Sequence, residues 1–447
     1  MSSKCIVVVP PSNYRATPGW EEVSWAPSEG ATIAATVLKD AGHSVVGYDL
    51  RNPSDRLVFG NQGLPREEIS KYNIISIAGA PDSFVHVREI SRLVKMGNPE
   101  VQVLLGGPLA THSFRVVLDK TDVDYCILGE CEETLPQLVE CIESAKPAAG
   151  LAVASRNLPE PPTPRPVDMN SVPLPDYGVW VNRPDRDGPR VVCYSTQRGC
   201  SSDCEFCAKH RSWQPRVIGL VESDLRQLSA GGTRELWLSD PTFNANRAHC
   251  QSVIALLDRL GLTWSCTMRV DLVDGDLLRT MKQSGCKGVF VGLESASSDV
   301  LAASRKGTTS QMNGRFLELA EEVCLPVVGF LLLGLKGETL ETLEQTLEMT
   351  RRHTFIPRPR YPVPYPGTRL ARPSGLSEED LLVIMSRASP DIANMPISPP
   401  RDKLLLQRMA EVKRELCDIA AERTARVFPA VSPEQQREIT PGAKETN

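Results

Sequence analysis

The sequence has no excess of positive charge: 50 Lys and Arg stand against 55 Asp and Glu in 447 residues. That balance argues against a nucleic-acid backbone as the main partner, because phosphate binding needs concentrated Lys and Arg. It also lacks a long hydrophobic run. The longest nearly apolar stretch, Pro326–Leu335, is far too short to span a bilayer. The N-terminus, M-S-S-K-C-I-V-V-V-P-P, has one Lys and a short apolar run, and reads as a buried strand, not an export signal. The expectation is a cytoplasmic protein with no membrane contact. Histidine is scarce, at six, whereas cysteine reaches 13. An odd cysteine count without an export signal argues against a disulfide framework. Apolar and charged fractions of 41% and 23% exclude a wholly disordered chain and leave material for more than one core.

The first 146 residues alternate strand-like and helix-like segments. Strands are expected at Ile6–Val9, Ser44–Tyr48, Ile74–Ile77, Val101–Leu105 and Tyr125–Leu128. Helices are expected at Ala31–Ala41, Val85–Met96 and Phe114–Leu118, with another ending near Ile142. Such alternation implies a doubly wound parallel sheet, which binds ligands at the carboxyl ends of its strands. Residues 147–189 hold ten prolines and read as an extended linker. From 190 to 370 the alternation resumes, with six strand candidates from Val191–Ser195 to Arg358–Val363. Six βα units suit a partial or full parallel barrel, with chemistry at the carboxyl strand ends. Residues 371–429 read as a helical cap. Leu405, Met409, Val412, Leu416 and Ile419 recur at helical spacing there, on one apolar packing face. The polar stretch 430–447 reads as a disordered tail.

Most cysteines read as small buried hydrophobes. Cys200, Cys204 and Cys207 differ, because they form C-x3-C-x2-C directly after a strand. Three thiolates on one loop can ligate zinc or an iron–sulfur cluster. Zinc wants a fourth ligand, for which Cys193 and His210 are the nearby candidates. A four-iron cluster on three cysteines keeps one iron open.

The loop resembles the signature of the radical S-adenosylmethionine (SAM) superfamily. Five further segments agree, in order: Leu236–Phe243 with the second-strand segment, Val289–Ser295 with the fourth strand, Leu301 through Lys306-Gly307-Thr308, Gly334–Thr339 with Lys336 in place of Pro, and Tyr365–Thr368. The N-terminal segments Ala41–Val45, Leu105–Pro108 and Gly129–Leu135, with Val172–Tyr177, resemble the cobalamin-binding subgroup.

The resemblance implies an α/β chain: a Rossmann-like cobalamin-binding domain over 1–146, then a radical SAM (βα)6 partial TIM barrel over 190–370. It implies a [4Fe-4S] cluster on Cys200, Cys204 and Cys207. Glu294, Ser295, Lys306, Gly334 and Asp240 become candidates for SAM, and Gly106, Gly107, Pro108, Gly129 and Glu130 for cobalamin. Mutases and methionine synthase use D-x-H-x-x-G after the first strand to place a His on cobalt. The loop from Pro10 to Glu29 contains no His, so a His lower ligand is not expected. His43 reads as a packing residue, His112 has no assigned role, and Trp20 and Trp25 are candidates to contact the corrin.

The reaction implied is methyl transfer. One SAM methylates cobalamin, and a second yields a 5′-deoxyadenosyl radical that opens an unactivated carbon to the methyl group of methylcobalamin. The substrate would be a small-molecule or peptide natural product, and an electron donor such as flavodoxin or ferredoxin is needed. The alternatives are a cyclase or rearrangement enzyme, a non-radical methylase of an sp2 carbon, and a non-enzymatic metal- or cobalamin-binding regulator.

Overall fold

The structure is a computed structural model. It describes residues 2–11, 28–51, 69, 71–181, 190–208, 212–371, 377–386 and 403–427. His210, Trp20, Trp25 and the 430–447 tail lie outside the described residues. The chain forms two compact units.

The first unit follows β1 (Lys4–Val9), α1 (Glu29–Asp40), β2 (Ser44–Asp49), β3 (Ile74–Ala78), α2 (Phe84–Gly97), β4 (Gln102–Gly106), α3 (Pro108–Lys120), β5 (Tyr125–Ile127), α4 (Thr134–Glu143) and β6 (Val153–Ala154). The sheet order is β2-β1-β3-β4-β5-β6, parallel except for β6. β1, β3 and β4 are almost wholly buried. Both of their faces are covered, which is why they read as near-continuous Ile, Val and Leu. The chain reverses its winding between β1 and β3, and the carboxyl ends there form the crevice where such sheets take ligands.

Over its described part, 147–181, the proline-rich segment alternates irregular backbone with short turns, and it is not a free linker. Val153–Ala154 adds the antiparallel edge strand to β5. Further along, Trp180 is buried. Its indole Nε1 donates to Thr32 Oγ1 at 3.0 Å, and its ring fills the space a side chain at Gly47 would need. Asp176 takes the Lys39 ammonium at 2.5 Å.

The second unit contains β7 (Arg190–Tyr194), the short hairpin strands β8 (Gln197–Arg198) and β9 (Gln214–Pro215), α5 (Ile218–Ala230), β10 (Thr233–Leu238), α6 (Arg247–Arg259), β11 (Thr263–Met268), α7 (Gly275–Gln283), β12 (Cys286–Glu294), α8 (Ser298–Ala303), α9 (Ser310–Glu322), β13 (Val327–Leu332), α10 (Leu340–Arg352) and β14 (Ile356–Arg360). Its sheet runs β14-β13-β12-β11-β10-β7, all parallel and in sequence order. Strands joined by helices in unbroken sequence give a partial barrel of six strands.

The C-terminal helices divide between the units. α11 (Glu378–Met385) packs on α2 and α3 of the first unit, where Glu379 faces Arg88 and Lys120. α12 (Lys403–Val427) packs on β14 and α10. Leu405, Met409, Val412 and Leu416 are buried there, Ile419 is half-buried, and Thr424 extends the stripe.

Candidate functional site

Cys200, Cys204 and Cys207 lie on the loop between β8 and β9. Gly199 opens it at φ +81°, and a side chain there would run into the Ser212 carbonyl. The loop is tied in three places. Cys207 N donates to Cys204 O at 3.2 Å, Glu205 N to Ser304 O at 3.0 Å, and Arg369 N to Glu205 O at 3.1 Å. Asp203 is held by Arg305 and Arg369.

The surroundings treat the thiols differently. Cys200 Sγ shares a hydrogen bond with Thr242 Oγ1 at 3.3 Å. Burial pushes its pKa up, but hydrogen bonds from Thr242 and Ser202 and the charge of Arg269 outweigh this and hold it below the ordinary value. Cys204 is buried, and burial keeps its thiol up against the charges of Lys306 and Arg269. Among the described residues, no three His, Cys, Asp or Glu side chains gather as a metal site. The fit to a cluster rests on donor chemistry: three soft thiols on one loop, with Arg269 acting on Cys200 and with Lys306 and Arg269 acting on Cys204.

Beside the loop, β12 ends in a strained turn. Glu294 adopts φ +62°, and the strand register shifts between Gly292 and Glu294. Such strain persists only where surroundings impose it, and it collects at functional sites. Lys306 Nζ donates to Glu294 Oε1 at 2.9 Å, with both residues buried, and lies 6.0 Å from the Phe206 ring centre. A Cβ at Gly292 would stand 2.5 Å from that ammonium, so glycine leaves room for the pair. The pair can offer a ligand one carboxylate and one ammonium, which suits the zwitterionic end of SAM. Gly334 takes φ +103°, and its amide donates to the buried Glu338 Oε2 at 3.1 Å.

Two SAM candidates face elsewhere. The Asp240 carboxylate accepts from Thr196 N at 2.7 Å, Thr196 Oγ1 at 2.6 Å and Gln197 N at 3.2 Å. These bonds anchor the chain entering the cysteine loop. Ser295 Oγ accepts from Ser297 N at 3.2 Å and lies 3.5 Å from Thr346 Oγ1 on α10, so it faces the helix layer.

Arg269, just past β11, was not among the candidates. It forks onto Asp271 at 2.9 and 3.0 Å and donates to Lys306 O at 3.2 Å, while its charge acts on Cys200 and Cys204. The only sequence signal was Arg-x-Asp after a strand. Asn244 locks it from the backbone, accepting from Arg269 N and donating to Arg269 O at 2.9 and 2.8 Å.

In the first unit, the ends of β3 and β4 are laced together. Gly79 N donates to Gly106 O at 2.9 Å, and Leu109 N to Gly79 O at 3.1 Å. Gly107, at φ +90°, would drive a Cβ to 2.7 Å from Gly79 O. Open space surrounds Gly106, and Pro108 is exposed at the start of α3. This bare backbone at the strand ends suits a large flat ligand such as a corrin. Gly129 and Glu130 lie against the proline-rich segment. A Cβ on Gly129 would meet Pro164 at 2.6 Å, and Glu130 Oε2 accepts from Val167 N at 2.6 Å. Burial lowers the pKa of His112.

Family models match at two places: a B12 binding domain at residues 26–139 and the radical SAM superfamily at 194–350. An uncharacterized methyltransferase of Pyrococcus horikoshii is 27% identical, over 67% of this chain and 68% of that protein. The anaerobic magnesium-protoporphyrin IX monomethyl ester cyclase of Rubrivivax gelatinosus is 26% identical, over 76% of this chain and 64% of its own length. The radical SAM methyltransferase TsrM from Kitasatospora setae, solved with cobalamin and a [4Fe-4S] cluster, superposes with a TM-score of 0.65 at 19% identity, covering 83% of this chain and 78% of that one. A second structure of it holds a tryptophan substrate and a SAM analogue. The radical SAM domain brings a [4Fe-4S] cluster and SAM, and the B12 domain brings cobalamin. Among the described residues, no helix is long and apolar enough to cross a membrane. With a B12 binding domain preceding a radical SAM domain in one chain, the protein belongs to the cobalamin-dependent radical SAM family.

Proposed function

We propose that the chain is a C-methyltransferase that moves a methyl group from SAM, by way of cobalamin, to an unactivated carbon of a small-molecule or peptide natural product. The presence of both cofactor domains on one chain carries this reading. When bound, the cluster supplies the electron that cleaves SAM and cobalamin carries the methyl group, while the protein positions them and excludes competing reactions.

The chain's own residues divide the work. Cys200, Cys204 and Cys207 would hold the cluster. Glu294 and Lys306 would exchange their mutual contact for the amino and carboxylate groups of SAM. Arg269 would place a positive charge beside Cys200 and Cys204, and Asp240 would hold the loop's approach. Gly106 and Gly107 would let cobalamin lie against backbone. An electron donor of the flavodoxin or ferredoxin kind would serve the cluster.

Anaerobic reconstitution with iron, sulfide and cobalamin, followed by SAM and reductant, tests the reading. It expects 5′-deoxyadenosine and S-adenosylhomocysteine in equal amounts per methylated product. The relationship to a cyclase favours a second reading, ring closure with the same cofactors. A product that gains no carbon would select it. Methylation without 5′-deoxyadenosine would instead mark a polar route.

A further inference from the structure

We propose that the inner wall of the barrel at β14 and α12 binds the anionic head of an apolar, ring-bearing substrate, with Arg360 and Lys413 holding the charge. This rests on the reading above and names the substrate class of the same barrel.

Strand alternation and register build the wall. Val328, Phe330 and Leu332 share one face of β13. Val328 pairs with Ile356, Phe330 with Arg358, and Leu332 with Arg360, so both arginines join that face on β14. Phe290 of β12 pairs with Val328 and brings β12 into the same layer. Phe290, Val328 and Ile356 form a buried cluster, against which half-buried Trp237, Phe330 and Ala420 pack. Trp237 meets Phe290 edge-on at 4.7 Å, and Phe330 follows at 6.2 Å. The deeper part of this face is therefore aromatic, and its carboxyl end is cationic.

α12 supplies the side wall. Arg423 fixes it, donating to Phe355 O and Thr350 O at 2.6 Å each. From Ala420 in the aromatic cluster, Cys417 and Lys413 follow on the same helix face at spacings of three and four. Lys413 Nζ stands 4.2 Å from the Tyr361 ring centre. Burial lowers the Lys413 pKa and the charge of Arg360 adds to the effect. Burial keeps the Cys417 thiol up, although Lys413, Arg360 and Arg358 all act on it, so it brings no compensating charge. Among the described residues, neither Arg360 nor Lys413 pairs with a carboxylate.

Arg360 is exposed at the end of β14 and Lys413 is half-buried beside it on α12, and like charges placed near one another disfavour each other. An incoming carboxylate offsets that cost, taking the planar fork of Arg and the point charge of Lys. Its apolar ring would lie on the half-buried Trp237 and Phe330, which Phe290 backs from the core.

The probes are indole-3-propionate and its uncharged amide, which share a ring and differ in head charge. Isothermal titration compares them on the full wild-type chain, Lys413→Met and Arg360→Gln, with circular dichroism and melting confirming that each variant folds. The acid is expected to bind about tenfold tighter than the amide. Each variant should remove most of that difference and leave amide and SAM binding unchanged. Equal affinity for acid and amide, no binding of the acid up to millimolar concentration, or variants that lose SAM instead of the acid would each overturn the proposal. Such a failure would leave SAM cleavage untouched, whereas failure of the methyltransferase reading would appear in the cleavage products.

Discussion

Lys306→Met should strongly destabilise the barrel unit, and adding Glu294→Gln should restore much of the loss. The Lys306 and Glu294 charged groups are 2.9 Å apart and both residues are under a tenth exposed. At an effective dielectric constant of ~20, the attraction at that separation is about 6 kcal/mol. Desolvation of two ions takes most of it back, so the intact pair adds little net stability. Removing only the lysine leaves a buried carboxylate at a residue already held at φ +62°, and costs about 3–5 kcal/mol. Removing both charges avoids that penalty. The two units need not unfold together, so the assay is native-state hydrogen exchange at the amides of β12, which reports local opening free energy. A loss below about 1 kcal/mol in Lys306→Met, or a double variant no better than the single, would refute the reasoning. SAM affinity should fall in both, which separates the pair's role in binding from its cost to the fold.

Four other outcomes are expected. Cys204→Ala should abolish cluster absorbance and bound iron while circular dichroism stays nearly unchanged; retained iron would contradict the ligand assignment. Asp240→Ala orphans the buried amides of Thr196 and Gln197 at about 1–3 kcal/mol each, so reconstituted iron content should drop together with melting temperature, and unchanged iron would count against an anchoring role. Gly107→Ala forces a Cβ toward Gly79 O at φ +90° and should cost about 1–3 kcal/mol in the first unit and weaken cobalamin uptake, read by equilibrium dialysis. Burial raises the Glu321 pKa, but hydrogen bonds from Thr354 and His353 outweigh it and hold it below the ordinary value. Its stabilisation is therefore present above the ordinary glutamate range and lost as pH falls through the depressed folded value. Glu321→Gln should flatten stability against pH on that acid side, and an unchanged slope in denaturant melts would contradict it.

The cysteine loop was legible because covalent spacing alone places three thiols together. Glu294 and Lys306 were legible as separate strand-end residues, but their pairing depends on a register shift in β12 that no linear pattern encodes. Arg269 was missed for the same reason, since its reach to the cysteines follows from the turn that Asn244 locks. Proline content predicted an extended linker over 147–189 without revealing that the segment adds β6 and inserts Trp180. The helical stripe at 405–416 announced a covered face but not what covers it. Side-chain chemistry marked Asp240 and Glu130 as capable of binding ligands, and only the hydrogen bonds show both occupied by neighbouring backbone.

The most direct test of the central claim is the fate of methyl-labelled SAM. The chain is reconstituted anaerobically with iron, sulfide and cobalamin, then reduced and supplied with a substrate. The account predicts iron bound through the three cysteines, 5′-deoxyadenosine matching S-adenosylhomocysteine, and the labelled methyl group on a carbon of the product. Bound zinc without SAM consumption, or a product without the label, would contradict it.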